Sequence, residues 1–192
     1  MLRTFIAVDF PTEIITKIAS ITAYLQSQTP GKALKWVASE NMHLTLKFLG
    51  DIHESTIPKL VRCIQEALRG QSTFNITIEG LGMYPNASQP RVVWLGIKDK
   101  GNLKQIHHEL VKVLRDFDPD PEKRAFSPHL TIARIRQNVS RDVVQQVGET
   151  LSQFKVDSLG SFEIQTVQLF KSELTPQGPI YACLFSMPLN QV

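Results

Sequence analysis

The tetrapeptide His-Leu-Thr-aliphatic occurs twice in this chain, as HLTL from His43 and as HLTI from His129. In an extended strand, side chains at i and i+2 share a face. Each copy therefore puts a histidine and a threonine on one face, and Leu44 with Leu46, or Leu130 with Ile132, on the other. One face packs while the other presents an imidazole and a hydroxyl. A doubled half-buried strand of this kind asks for two related units whose polar faces meet across a shared cleft. Two facing imidazoles are equipment for acid/base chemistry on one substrate group. A lone strand histidine is most often a structural residue, but two unrelated ones have no reason to share three neighbours.

The rest of the pattern is that of an α+β chain. Arg3 to Asp9 reads as a strand, and Pro11 opens a helix at its first turn, where a missing N–H costs nothing. That helix places Ile14, Ile18, Ile21 and Leu25 on one face. Leu34 to Val37 and Met42 to Leu49 read as extended, with Gly50 ending the second. A second helix lines up Ile57, Leu60, Val61, Ile64, Ala67 and Leu68, the clearest amphipathic stripe in the chain. Phe74, Ile76 and Ile78 alternate as a strand, Gly80 to Pro90 reads as a turn-rich loop, and Arg91 to Ile97 as a strand.

A third helix carries Leu103, Ile106, Leu110, Leu114 and Phe117 inward, and the loop DPDPEKR leads to a strand over Phe126 to Ile135. Ser140 is an N-cap for a fourth helix with Val143, Val144, Val147, Leu151 and Phe154 inward. Strands over Phe162 to Lys171 and Ile180 to Phe185 flank the turn LTPQGP. Adjacent strand pairs mixed with single helices suit largely antiparallel sheets better than a wound parallel one. No composition break divides the chain, so residues 1–192 are expected to form one domain of two similar lobes, each contributing one histidine strand.

Composition excludes several classes of function. A 42% hydrophobic, 20% charged chain is an ordinary globule, and its net charge of +3 is compatible with a polyanionic ligand without demonstrating one. Asp9 and Pro11 interrupt the apolar start before it reaches the length of a signal-peptide core, and no stretch approaches a membrane span, so a cytoplasmic address is the default. Cys63 and Cys183 lack CxxC spacing and read as buried thiols in a reducing compartment. A monomer is the default oligomeric state.

The candidate site residues follow from the repeat. His43 and His129 are the acid/base pair, and Thr45 and Thr131 are placed to hydrogen-bond an anionic oxygen. No carboxylate or G-x-S-x-G elbow accompanies them to build a nucleophilic triad, and there is no HExxH or Cys/His cluster, so no metal or other cofactor is expected. His107 and His108 are consecutive on a helix and diverge, and His53 reads as a loop histidine. Arg134 is anomalous. Strict alternation sets it beside Leu130 and Ile132, where a guanidinium is costly to bury alone, so either the strand ends or bulges near Ala133 or Arg134 meets an anion. Phe48 occupies the equivalent place in the first copy and is a candidate to stack on a base, as are Trp36 and Tyr84. Lys47 shares the His43 face on the same alternation.

HLTLKFLG and SPHLTIARI resemble the two His-x-Thr motifs of the 2H phosphoesterases, specifically the RNA 2′,3′-cyclic phosphodiesterases, also called 2′-5′ RNA ligases. RTFIAVDFP, PRVVWLGI, PEKRAFSPHLTIAR and SELTPQGPIY are similar to that family too, so the likeness spans the chain. It implies a bilobal fold of two pseudo-symmetric lobes with helices packed outside and a central V-shaped cleft. It also implies metal-independent hydrolysis of an RNA-terminal ribose 2′,3′-cyclic phosphate to a 2′-phosphate. His43 would then protonate the departing 3′ oxygen, His129 would activate water, Thr45 and Thr131 would bind phosphate oxygens, and Arg134 would match the arginine after the second motif. Two alternatives use the same residues: the reverse reaction, joining ends through a 2′-5′ linkage, and an RNA-end binder without catalysis. A binder would be served as well by lysine or arginine at the two histidine positions.

Overall fold

The computed structural model describes residues 1–29, 32–117, 125–176 and 178–191. It contains strands β1 (Leu2–Val8), β2 (Leu34–Trp36), β3 (Leu44–Ile52), β4 (Phe74–Tyr84), β5 (Val92–Lys98), β6 (His129–Ile135), β7 (Gly160–Ile164), β8 (Thr166–Thr175) and β9 (Gly178–Pro188). The helices are α1 (Thr12–Gln28), α2 (Ile57–Leu68), α3 (Asn102–Val113) and α4 (Arg141–Ser152). The strands form two sheets, one in the order β3-β1-β8-β9 and the other β2-β6-β5-β4-β7, and all their pairings are antiparallel. The α+β class and the two antiparallel sheets are as the sequence implies. The sheets do not coincide with the halves of the chain, however: β2 leaves the N-terminal segment to pair with β6, and β8 returns to pair with β1, with β9 pairing β8 beyond it.

Helix patterning is reproduced closely. In α2, Ile57, Leu60, Val61, Ile64, Ala67 and Leu68 are all buried, and α3 buries Leu103, Ile106 and Leu110. Ser140 caps α4 by accepting the Val143 N–H through Oγ at 3.5 Å. In α1 the buried residues are Ile14, Ile18, Thr22 and Leu25, with Ile21 half-buried at the edge of the stripe. α2 packs on α3, which also touches β3, while Tyr24 of α1 meets Phe154 beyond α4 edge to face. One buried cluster runs from Ile6 and Leu44 of the first sheet to Ile76, Val93 and Leu130 of the second.

Several strand boundaries differ from those the sequence suggested. Gly50 does not end β3; it takes φ 70°, pairs with Thr4, and the strand continues to Ile52. β4 runs on through Gly80 to Tyr84, shortening the expected loop. β6 begins at His129, so Phe126 to Pro128 lie outside it. The segment read as one strand over Phe162 to Lys171 is two, divided at Gln165, and β7 and β8 belong to different sheets. Cys183 is exposed and Cys63 half-buried, so neither is the buried thiol expected. DPDPEKR falls outside the described residues, as does Gln177 in the LTPQGP turn. No helix among the described residues is long and apolar enough to cross a membrane.

Candidate active site

Both motif strands break regular alternation at the same place. Against β1, β3 pairs Thr45 with Ala7 and Lys47 with Ile6, so Leu46 is an extra residue; against β5, β6 pairs Thr131 with Trp94 and Ala133 with Val93, so Ile132 is an extra residue. An inserted residue reverses the facing of everything after it. Ala7 and Phe5 share one face of β1, so their partners Thr45 and Phe48 share it as well. Gly96, Trp94 and Val92 share one face of β5, so His129, Thr131 and Arg134 form one polar row. The six residues from each histidine repeat the same exposure: half-buried, buried, half-buried, buried, buried, exposed.

This irregularity answers the anomaly at Arg134. The strand bulges one residue before Ala133, turning Ala133 into the core and Arg134 outward beside Thr131. Phe48 is turned out in the same way and is 61% exposed. Lys47 moves opposite to expectation: it pairs with Ile6 on the far face from Thr45 and is buried. Trp36 pairs with Ala133 and packs against the main core, away from the polar row.

The two histidines are held alike and housed differently. The His129 Nδ1–H donates to the Ser127 carbonyl at 2.7 Å, because a carbonyl can only accept. This fixes the tautomer and leaves the Nε2 lone pair free in the neutral ring. His43 likewise donates to the backbone carbonyl two residues before it, that of Asn41. A tyrosine edge meets each imidazole, Tyr181 with His43 at 5.0 Å and Tyr84 with His129 at 5.1 Å between ring centroids.

Around His43 the remaining wall is apolar: Phe5 lies 4.7 Å away and stacks on Phe170. Burial there pushes the His43 imidazole down to about 4, against a smaller upward effect of the Asn41 hydrogen bond. Around His129 the wall is Trp94, at 6.2 Å, and Tyr84, whose hydroxyl donates to Ser127 Oγ at 3.2 Å. The Trp94 indole lies across Gly82, where a Cβ would overlap the ring.

The two faces come together. β3 and β6 touch, and Tyr181 of the first sheet lies in electrostatic range of Arg134 from the second. Burial raises the Tyr181 phenol, with Arg134 and Arg3 pulling it back. Tyr181 has no local signal in the sequence, because only the β8–β9 pairing carries it to His43. The assembled groups are two imidazoles, two hydroxyls, a guanidinium and a rim of aromatic rings. Among the described residues no three His, Cys, Asp or Glu side chains gather as a metal ligand set. Of the other histidines, His53 turns back to Ser55 at 2.7 Å, and His107 stacks on Phe126.

The family model of the 2′-5′ RNA ligase superfamily matches residues 10–173, which include both motifs and Arg134. The chain belongs to the 2′-5′ RNA ligase superfamily. Relatives within it include the RNA 2′,3′-cyclic phosphodiesterase of Methanothermobacter thermautotrophicus, 34% identical over 179 residues, covering 93% of this chain and 94% of that protein. That of Thermotoga maritima is 31% identical over 186 residues, covering 96% and 94%. Among solved structures, E. coli LigT complexed with 3′-AMP superposes with a TM-score of 0.77 at 26% identity, covering 99% of each chain. The superfamily fold thus accounts for the two sheets.

Proposed function

We propose that this superfamily member is an RNA 2′,3′-cyclic phosphodiesterase, opening a terminal ribose 2′,3′-cyclic phosphate to a 2′-phosphate. The observation that supports the reading is the pair of alike motif strands, each turning a histidine, a threonine and the residue five beyond the histidine to one face. Displacement at phosphorus needs a base behind the attacking water, an acid beside the departing oxygen, and donors at the charged oxygens between them. His129, with its Nε2 lone pair free, takes the proton of the attacking water. His43 gives its proton to the departing 3′ oxygen, and Thr45, Thr131 and Arg134 hold the phosphate oxygens.

The burial of His43 shapes this assignment. In the empty cleft its ring is neutral at physiological pH, and an anion bound beside it favours the charged form. Substrate binding therefore favours uptake from solvent of the proton that the acid step consumes, and the resulting imidazolium, poorly solvated among Phe5, Phe170 and Tyr181, is a willing donor. Phe48 stacks on the terminal base. Residues 1–192 act as one domain of two lobes, a reading supported by the buried cluster common to both sheets. The protein is read as a monomer, and its two free cysteines fit work in the reducing cytoplasm.

The test is product analysis after incubation with an oligonucleotide ending in a 2′,3′-cyclic phosphate, with EDTA present. The expected product carries a 2′-phosphate and forms at the same rate with chelator. A 3′-phosphate product, or activity abolished by EDTA, rejects the mechanism.

A further inference from the structure

The register of β2 against β6 sets Lys35 directly opposite Arg134. Opposed residues of an antiparallel pair share a face with Cβ atoms about 4.5–5.5 Å apart, and like charges so placed destabilise the pair. Both side chains are exposed, and among the described residues neither forms an ion pair with a carboxylate. The pairing is nevertheless firmly held. The Val37 N–H donates to the Ile132 carbonyl at 2.9 Å, the Arg136 N–H to Ala33 at 2.8 Å, and Arg136 Nε to Leu34 at 3.2 Å. On either side of Lys35, Leu34 is buried and Trp36 packs on the core, so Lys35 is the β2 side chain given to the cleft face. A three-residue edge strand thus presents a cation beside Arg134 where the strand pairing alone would favour almost any other residue.

We propose that Lys35 binds the phosphodiester on the 5′ side of the terminal nucleotide, so that the cleft prefers oligonucleotide ends to mononucleoside cyclic phosphates. This rests on the function proposed above. Thr131 and Arg134 face the terminal phosphate from β6, and Lys35 lies one strand further out, by about 4.8 Å, at the open edge of the sheet. A strand of RNA leaving the cleft over that edge carries its next phosphate past Lys35. A rigid fork suits the fixed end group, whereas a point charge on a flexible stem suits a phosphate whose position shifts with sequence. The contact is blind to base identity, as backbone contacts are.

The test compares two substrates: adenosine 2′,3′-cyclic phosphate and a trinucleotide ending in the same group. In Lys35→Gln the ratio of kcat/KM for trinucleotide over mononucleotide is expected to fall about fivefold, and Lys35→Arg to restore most of it. An unchanged ratio, whether both values fall together or neither does, overturns the proposal. A second arm titrates salt against binding of a trinucleotide carrying a 2′-phosphate. Removing one phosphate contact to a single strand should reduce the log–log slope by about 0.7, and an unchanged slope overturns the proposal. If the wild-type chain turns over neither substrate, the proposed function fails, while the salt slope still decides the role of Lys35.

Discussion

The β3 and β6 motif strands share a backbone and differ in what surrounds it. Each donates its imidazole N–H to a carbonyl two residues back, bulges three residues after the histidine, and exposes the fifth residue. Yet one fifth residue is Phe48 and the other Arg134, and one histidine sits against phenylalanines while the other sits against Trp94, Tyr84 and Ser127. Duplicated backbone geometry supplies two imidazoles held alike. Under the proposed function, the divergent side chains give the two sides unlike work, an apolar wall for a base and a buried acid on one, a cationic wall for phosphate on the other.

The sharpest break in this comparison comes from removing either imidazole. His43→Ala and His129→Ala are each expected to lower kcat by about 10²-fold or more, as acid/base contributions do, with the fold retained because both rings line a cleft. Near-wild-type activity in either variant, measured on the cyclic-phosphate oligonucleotide, would break the pairing of roles.

The unequal housing of the two rings predicts an unequal response to acid. The folded His43 pKa, about 4, lies below the unfolded value near 6.5, so between these pH values the unfolded chain binds more protons. Stability from this group is fully present above about pH 6.5 and is lost as pH falls through 4, to a limit of roughly 3 kcal/mol. Denaturant titrations at a series of pH values should show a shallower acid loss in His43→Ala than in wild type. Equal slopes in the two would mean that His43 is already solvated.

Arg134 tests the cationic side. Exposed and without an ion pair among the described residues, it has little to contribute to stability. Arg134→Ala is expected to lower kcat/KM about thirtyfold with an unchanged Tm, and Arg134→Lys to fall between, retaining the charge without the bidentate fork. A large loss of Tm with unaltered kcat/KM would return Arg134 to a structural role.

These contrasts were unevenly legible in the sequence. Helical stripes read well because burial in α2 follows a single period, and the repeated tetrapeptide marked both motif strands. The bulges read only in part. In the second copy Arg134 on the core parity pointed to an irregularity near Ala133 as one of two answers, the other being a bound anion, but in the first the charged Lys47 imitated a solvent-facing residue and hid the same one. Lys47 is buried because facing follows the backbone register and not the residue type. The split of β7 from β8 had a signal, since buried Ile164 and Val167 are three apart and break alternation. Lys35 and Tyr181 had none: each is brought beside Arg134 or His43 through pairing with a distant segment, and local patterning carries no record of that.

Phe48 is the subtlest half of the comparison, because it occupies the place of Arg134 on the other strand but carries no charge. Its ring is 61% exposed and 5.9 Å from Phe5, so it extends the apolar wall of His43 toward the cleft mouth. An exposed phenylalanine contributes little to the fold, so Phe48→Ala should leave Tm within about a degree of wild type. Stacking on one base through one face belongs at the low end of the range for such contacts. Phe48→Ala should therefore raise KM about fivefold with kcat nearly constant, and Phe48→Trp should restore or tighten binding. The loss should be similar for each of the four terminal bases, since every base has a π-face. If kcat falls instead while KM holds, Phe48 shields the His43 proton from water and does not stack, and the two fifth residues are then both parts of the acid/base machinery.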